Sequence, residues 1–166
     1  IPGPQAKNAR RGDIHALGRH EGLGFDSLRL ETAGRLPHLL VRCRCQGKHL
    51  TWVVDTGAEV TVMAAETVQR LGIPTTASRS KIIDASGDRA SVRTAVLRDV
   101  VFGQLVVNEF QVAVTPLKTI RRTFRDRSGR PVDGIIGMDF LEESSALLDT
   151  ASQVLYVGDP PRSRLN

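Results

Sequence analysis

The sequence is poor in aromatic residues, which make up 4% of its 166 positions as five Phe, one Trp and one Tyr. Its core must therefore be built mainly from Val, Leu and Ile, a composition that suits strands. Lysine is scarce as well: only 4 of the 23 basic residues are Lys and 19 are Arg, against 18 acidic residues, for a formal charge of +5. The arginines are spread along the chain and no aromatics are interleaved with them, so no nucleic-acid partner is expected. Cys43 and Cys45 are the only cysteines. Two apart on an expected strand, they share a face, lie too close in sequence for an unstrained disulfide, and read as free thiols. The four histidines, His15, His20, His38 and His49, lack metal-ligand spacing, so neither a metal site nor a cofactor is expected. No run approaches the roughly 18 to 20 apolar residues that cross a bilayer, and no positive-then-apolar leader opens the chain. The first residue is Ile1 rather than Met, which is compatible with a removed signal or anchor. The expected compartment leans towards the cell envelope or periplasm over the cytoplasm.

What is present reads as one domain, long enough to bury a core without disulfides or metals. Residues 1–24 are rich in Gly, Pro, Arg and His with no apolar period and read as a flexible arm. Residues 25–158 form the expected domain and 159–166 a tail. From Phe25 onward, short apolar runs alternate with turn residues, the signature of a sheet-rich fold. Leu39 to Cys45 and Leu50 to Val54 flank Gln46-Gly47-Lys48 as a hairpin. Ala64 to Leu71 has the composition of a short helix, closed by Gly72 and Pro74. Lys81 to Asp84 and Ala90 to Val96 flank Ala85-Ser86-Gly87-Asp88 as a second hairpin with a polar tip. Leu105 to Val114 continues the strand pattern. Lys118 to Arg130 carries six basic residues in 13 positions and reads as a solvated surface loop, with a substrate-steering patch or a self-cleavage site as functional alternatives. Ile135 and Ile136 lead through Gly137 into a short helix, and Ala146 to Leu148 with Val154 to Val157 make a closing hairpin.

Chemistry concentrates at Val53-Val54-Asp55-Thr56-Gly57-Ala58, an apolar strand that delivers one carboxylate into a turn of small residues. Gly57 permits close approach and Ala58 leaves space for a chain lying beside the carboxylate. Alone, Asp-Thr-Gly is a weak signal, because an Asp-X-Gly turn after a strand is common. About 80 residues downstream, Ile135-Ile136-Gly137 follows the hairpin in the order that gives the tripeptide meaning.

Together the Asp55-Thr56-Gly57-Ala58 turn, the Lys81 to Val92 hairpin and the Ile135-Ile136-Gly137 run resemble the retropepsin-like, single-domain aspartic proteases, over roughly Leu36 to Val157. The arginine-rich composition and the flanks are more similar to bacterial members than to viral ones. The resemblance implies an all-β fold, a closed acid-protease half-barrel with one short helix and a flap hairpin, acting as a two-fold homodimer. One Asp-Thr-Gly is present, so each chain would supply one carboxylate. The pair would share a proton, one member acting as general base on a water and the other donating to the scissile carbonyl. The implied substrate is an extended polypeptide segment. Asp55, Thr56 and Gly57 would form the catalytic loop, with the Thr56 hydroxyl reaching across the dimer axis. Ala58 and Gly57 would floor the cleft, and Glu59 would bind the substrate main chain. Ser86 and Gly87 would close over the substrate at the flap tip, and Ile83 and Ile135 would line apolar pockets, or else simply pack in the core.

Three features depart from the viral pattern: a more polar flap tip, Met138-Asp139 after the Ile-Ile-Gly, and the basic insertion. The alternative function is a catalytically weak or inactive module that keeps the fold for dimerisation or peptide binding. A third reading, attachment to an anionic surface through 118–130, would show strong salt dependence.

Overall fold

Alternating apolar and polar residues produce strands with one buried face, as in Leu105–Thr115, where Leu105, Val107, Phe110, Val112 and Val114 are buried. The structure, a computed structural model, describes residues 26–83 and 89–158. In chain order these form β1 (Asp26–Arg29), β2 (Glu31–Ala33), β3 (Leu36–Cys45), β4 (Lys48–Val54), β5 (Val62–Ala64), α1 (Ala65–Leu71), β6 (Thr75–Ile83), β7 (Arg89–Phe102), β8 (Leu105–Thr115), α2 (Lys118–Ser128), β9 (Gly134–Ile136), α3 (Met138–Glu143), β10 (Leu147–Asp149) and β11 (Val154–Val157). The N-terminal arm 1–24, the C-terminal tail 159–166 and the hairpin tip with Ser86 and Gly87 lie outside the described residues.

The main sheet runs β2-β3-β4-β9-β5-β8-β7-β6, and Arg44 of β3 also pairs with Val101 of β7. That last contact joins the two ends of β3-β4-β9-β5-β8-β7, which closes a six-strand barrel. The fold is the closed, mainly β, retropepsin-like one that the motifs imply. β4 and β9 are parallel, as are β5 and β8, whereas β5 and β9 are antiparallel. The short β9 is therefore inserted between β4 and β5. The sparse aromatics are concentrated inside: Phe110 lies 6.0 Å from Trp52, 6.4 Å from Phe102 and 5.3 Å from Phe140 between ring centroids. Gly134 passes so close to the buried Trp52 ring and the Val62 carbonyl that a Cβ there would overlap both. A second, three-stranded sheet, β1-β11-β10, joins the two ends of the described chain and leaves β10 as an edge.

The helices depart most from expectation. The segment 118–130, expected as a surface loop, is instead a helix over its first 11 residues, Lys118–Ser128. Helices α1 and α3 stand where the sequence places them, so there are three short helices among the described residues where the resemblance implies one. Phe124 of α2 is buried, and it joins Ala33, Leu40, Val53 and Val132 in a second apolar cluster, with Leu36, Ile120 and Ile135 packed around it. Arg121, only 14% exposed, reaches inward to Asp133 at 3.3 Å, the Thr67 hydroxyl at 2.8 Å and the Val132 carbonyl at 2.7 Å. Burying Phe124 and pairing Arg121 offsets the cost of gathering so many cations on one short helix.

Cys43 and Cys45 are both free and buried. The Trp52 indole donates to the Cys43 sulfur at 3.1 Å, yet burial outweighs that bond and pushes the thiol up to about 12. Burial, followed by Asp99, also raises Cys45. The folded protein keeps these protons where an unfolded chain, with its thiols near 9.0, releases them. Stability is therefore expected to be complete below about pH 9 and to fall as pH rises towards 12. Native protein at pH 8 should also resist a thiol-modifying reagent that labels both cysteines in denaturant. Rapid labelling of the native protein, read by mass spectrometry, would contradict this.

Candidate active site

β4 ends in the buried pair Val53 and Val54, and the chain emerges at Asp55, which is half-buried. Two backbone contacts set its position. The Asp55 amide donates to the Ile136 carbonyl at 3.0 Å, continuing the β4–β9 pairing by one step, and the Ala58 amide donates to the Asp55 carbonyl at 3.2 Å. The side chain is held as well: its Oδ1 accepts the Gly57 amide at 2.9 Å. A Cβ on Gly57 would stand 3.2 Å from that oxygen, so glycine leaves the carboxylate room. Asp55 forms no ion pair among the described residues. The outcome is a half-buried carboxylate whose orientation is set by the Gly57 amide.

The turn is braced from behind by the start of α3. The Met138 amide donates to the Ala58 carbonyl at 2.8 Å and the Asp139 amide to the Glu59 carbonyl at 3.2 Å. Thr61, 1% exposed, donates from its amide and its hydroxyl to the two oxygens of Asp139, at 3.0 and 2.7 Å. The same hydroxyl accepts the Gly137 amide at 3.0 Å. The Thr61–Asp139 bonds join residues 78 apart in sequence and the Thr61–Gly137 bond residues 76 apart, and the sequence reading missed the bracing role of both Thr61 and Asp139. Met138-Asp139 stood out only as a departure from the viral pattern, which was the one signal available.

Gly137 is where the downstream segment approaches the Asp55 turn most closely. A Cβ there would come within 2.6 Å of the Val60 carbonyl carbon, 2.7 Å of its oxygen and 2.9 Å of the Ala58 oxygen. All three are backbone atoms of the segment that follows Asp55 and cannot swing aside. Gly137→Ala is expected to destabilise by about 2 to 3 kcal/mol and to displace the turn, lowering any Asp55-dependent activity further than the stability loss explains. Parallel thermal unfolding and activity assays check it, and a variant with normal stability would show that the close approach is unimportant.

The remaining expected site residues are distributed as follows. Thr56, Gly57 and Glu59 are exposed and Ala58 is half-buried, all in the turn itself. Glu59 lines a cavity of about 510 Å³ with Val60, Met138, Asp139, Glu142 and Glu143, giving that side of the turn an acidic wall. Ile135 is half-buried, paired with Val53 and packed on the α2 cluster. Ile83 ends β6 opposite Arg89, the last paired position before the hairpin tip. Asp133 and Arg121, which sequence reasoning did not single out, tie α2 to the barrel beside β4. Among the described residues, no group of three or more His, Cys, Asp or Glu is placed to hold a metal ion, and no helix is long and apolar enough to cross a membrane.

Comparison with known proteins bears on the family and the fold. The family profile described as "Aspartyl protease" matches residues 41–140. The chain is 24% identical over 128 residues to the human "Protein DDI1 homolog 1", covering 77% of this chain and 30% of that protein. It thus spans under a third of the curated relatives it matches. Among solved structures it resembles a retropepsin-like aspartic protease from Rickettsia conorii, with TM-score 0.55, 19% identity, and coverage of 81% of this chain and 89% of the other. It also resembles the retroviral protease-like domain of Ddi1 from Leishmania major, with TM-score 0.51, 18% identity, and coverage of 75% and 91%.

Proposed function

Because the chain belongs to the aspartyl protease family, we propose that it is a homodimeric aspartic endopeptidase acting on extended polypeptide segments. The observation that carries this reading is the single Asp55 turn: a carboxylate oriented by the Gly57 amide, anchored to Ile136 and braced by α3. One carboxylate is half of the required pair. In a two-fold dimer, Asp55 and Asp55 of the partner subunit would meet at the axis. Two carboxylates that close share one proton, which divides the labour between them. The ionised member takes a proton from a water held between them as that water attacks the scissile carbonyl. The protonated member donates to the carbonyl oxygen, and the tetrahedral intermediate collapses as the leaving nitrogen is protonated. No bond to the enzyme forms.

Thr56 would brace the two turns across the axis, Gly57 and Ala58 would floor the cleft, and Glu59 would hold the substrate main chain. The β6–β7 hairpin, with Ser86 and Gly87 at its tip, would close over the substrate and exclude water, with Ile83 and Ile135 contributing apolar contacts. The edge strand β10, whose Leu147 is 52% exposed, supports dimerisation, since an open strand edge with an apolar side chain is a surface that a second copy can extend.

The test is to incubate the protein with a diverse library of unstructured peptides between about pH 4 and pH 8 and read new termini by mass spectrometry. Cleavage is expected, with the rate per chain rising with protein concentration as dimer forms. A rate per chain that stays constant while the protein is monomeric in solution would refute the shared site.

A further inference from the structure

We propose that α2 is a basic wall of the substrate cleft that makes this protein select acidic polypeptide segments; the inference rests on the endopeptidase reading for its substrate and on the structure for its position. Helix α2 stands on the face of the sheet from which Asp55 emerges. Asp55 follows the end of β4 but its amide continues the β4–β9 pairing by one step, so it shares the strand phase of Val53 two residues before it, and Val53 is part of the buried cluster that contains Phe124. Ile135, in register with Val53 on the neighbouring strand, packs on the same cluster. Leu39 pairs with Val54, so His38 lies at the level of Asp55, and its ring meets Phe124 edge-on at 5.4 Å. The helix thus lies beside the catalytic turn.

The N-terminal half of the helix is tied to the rest of the fold. Arg121 is bound to Asp133, Thr67 and the Val132 carbonyl, and the Leu117 amide at the start of the helix donates to Glu66 at 3.4 Å. The inward side is thereby accounted for by Phe124, Ile120 and Arg121. The other cations, Lys118, Arg122, Arg125, Arg127 and Arg130, are exposed, with Asp126 as the one acidic side chain among them. None of the five forms an ion pair among the described residues. Cations held on a rigid element at one side of a cleft raise the local concentration of an anionic chain and set its register. A single-stranded nucleic acid is a poorer fit, because stacking platforms are absent: the only aromatic residue of α2, Phe124, is buried.

The test uses Asp55→Asn protein, so that binding is read without cleavage, and two fluorescent unstructured peptides of equal length, one Glu-rich and one Gln-rich. The Glu-rich peptide is expected to bind about tenfold more tightly at 50 mM salt, with the ratio falling towards one at 0.5 M as screening shortens the range of the charges. Adding Arg122→Gln and Arg125→Gln should bring the low-salt ratio close to one without lowering the melting temperature. Equal binding of the two peptides, or an unchanged ratio in the double variant, overturns the proposal. So does an oligonucleotide of matched charge that binds more tightly than the Glu-rich peptide. Library cleavage by the protein with Asp55 intact but no acidic bias would leave the protease reading standing and the wall refuted. Acidic preference in binding without any cleavage would do the reverse.

Discussion

Asp55→Asn is expected to lower kcat/KM for peptide hydrolysis by at least about 10³-fold while leaving the melting temperature nearly unchanged. The amide matches the carboxylate in size, and its oxygen still accepts the Gly57 amide that Asp55 holds at 2.9 Å. The Ile136 and Ala58 contacts at this position are made by the backbone, so the turn survives the change. What disappears is the ability to take up and return a proton. Positioned general acid–base groups contribute about 10² to 10⁴ in rate, and a dimer carries the change twice. A loss of 10³ corresponds to about 4 kcal/mol of barrier, far more than any stability effect of the swap. The measurement is steady-state kinetics on one cleaved library peptide, alongside thermal unfolding of both proteins. Activity within tenfold of the unaltered protein would sink the mechanism. Silence from both proteins, with a dimer present, would favour the peptide-binding module.

The largest stability effect is expected at Asp133, which lies beside Thr51 rather than at Asp55. This carboxylate is 9% exposed and accepts from the Thr51 amide at 3.0 Å, the Thr67 hydroxyl at 2.8 Å and Arg70 at 2.9 Å, with Arg121 at 3.3 Å. Asp133→Ala leaves the 14%-exposed Arg121 without a counter-charge and the Thr51 amide and Thr67 hydroxyl without their acceptor. Breaking a buried pair by removing one partner costs about 3 to 5 kcal/mol, or roughly 10 °C in melting temperature for a chain of this length. Arg70→Gln is the control: Arg70 is 56% exposed, and pairs of that kind are worth less than about 1 kcal/mol. Hydrogen exchange should show α2 opening in Asp133→Ala before the barrel does. A melting temperature within 2 °C of the original protein would mean that the network adds nothing to the packing of Phe124.

The first and last of the expected hairpins stand where the sequence places them because turn chemistry is local. Gln46-Gly47 reverses the chain between β3 and β4, and residues 150–153 do so between β10 and β11. Asp55, Thr56 and Gly57 were legible for the same reason, since a carboxylate delivered by an apolar strand into a small-residue turn is written in consecutive positions. Helix α2 was written less plainly. Leu117, Ile120 and Phe124 keep a helical spacing, but three apolar residues among six cations read as solvated surface until a face of the barrel is there to cover them.

What the tertiary structure decided are the contacts between residues far apart in sequence: the parallel seating of β9 beside β4, the closure of β3 on β7, and the Thr61–Asp139 brace. None follows from local propensity, because each depends on how close two distant segments can come. Gly137 sets that distance at the Asp55 turn, where its missing side chain lets the backbone at Val60 and Ala58 approach. The identity of the carboxylate was thus present in the chain from the start, while its orientation required the whole barrel.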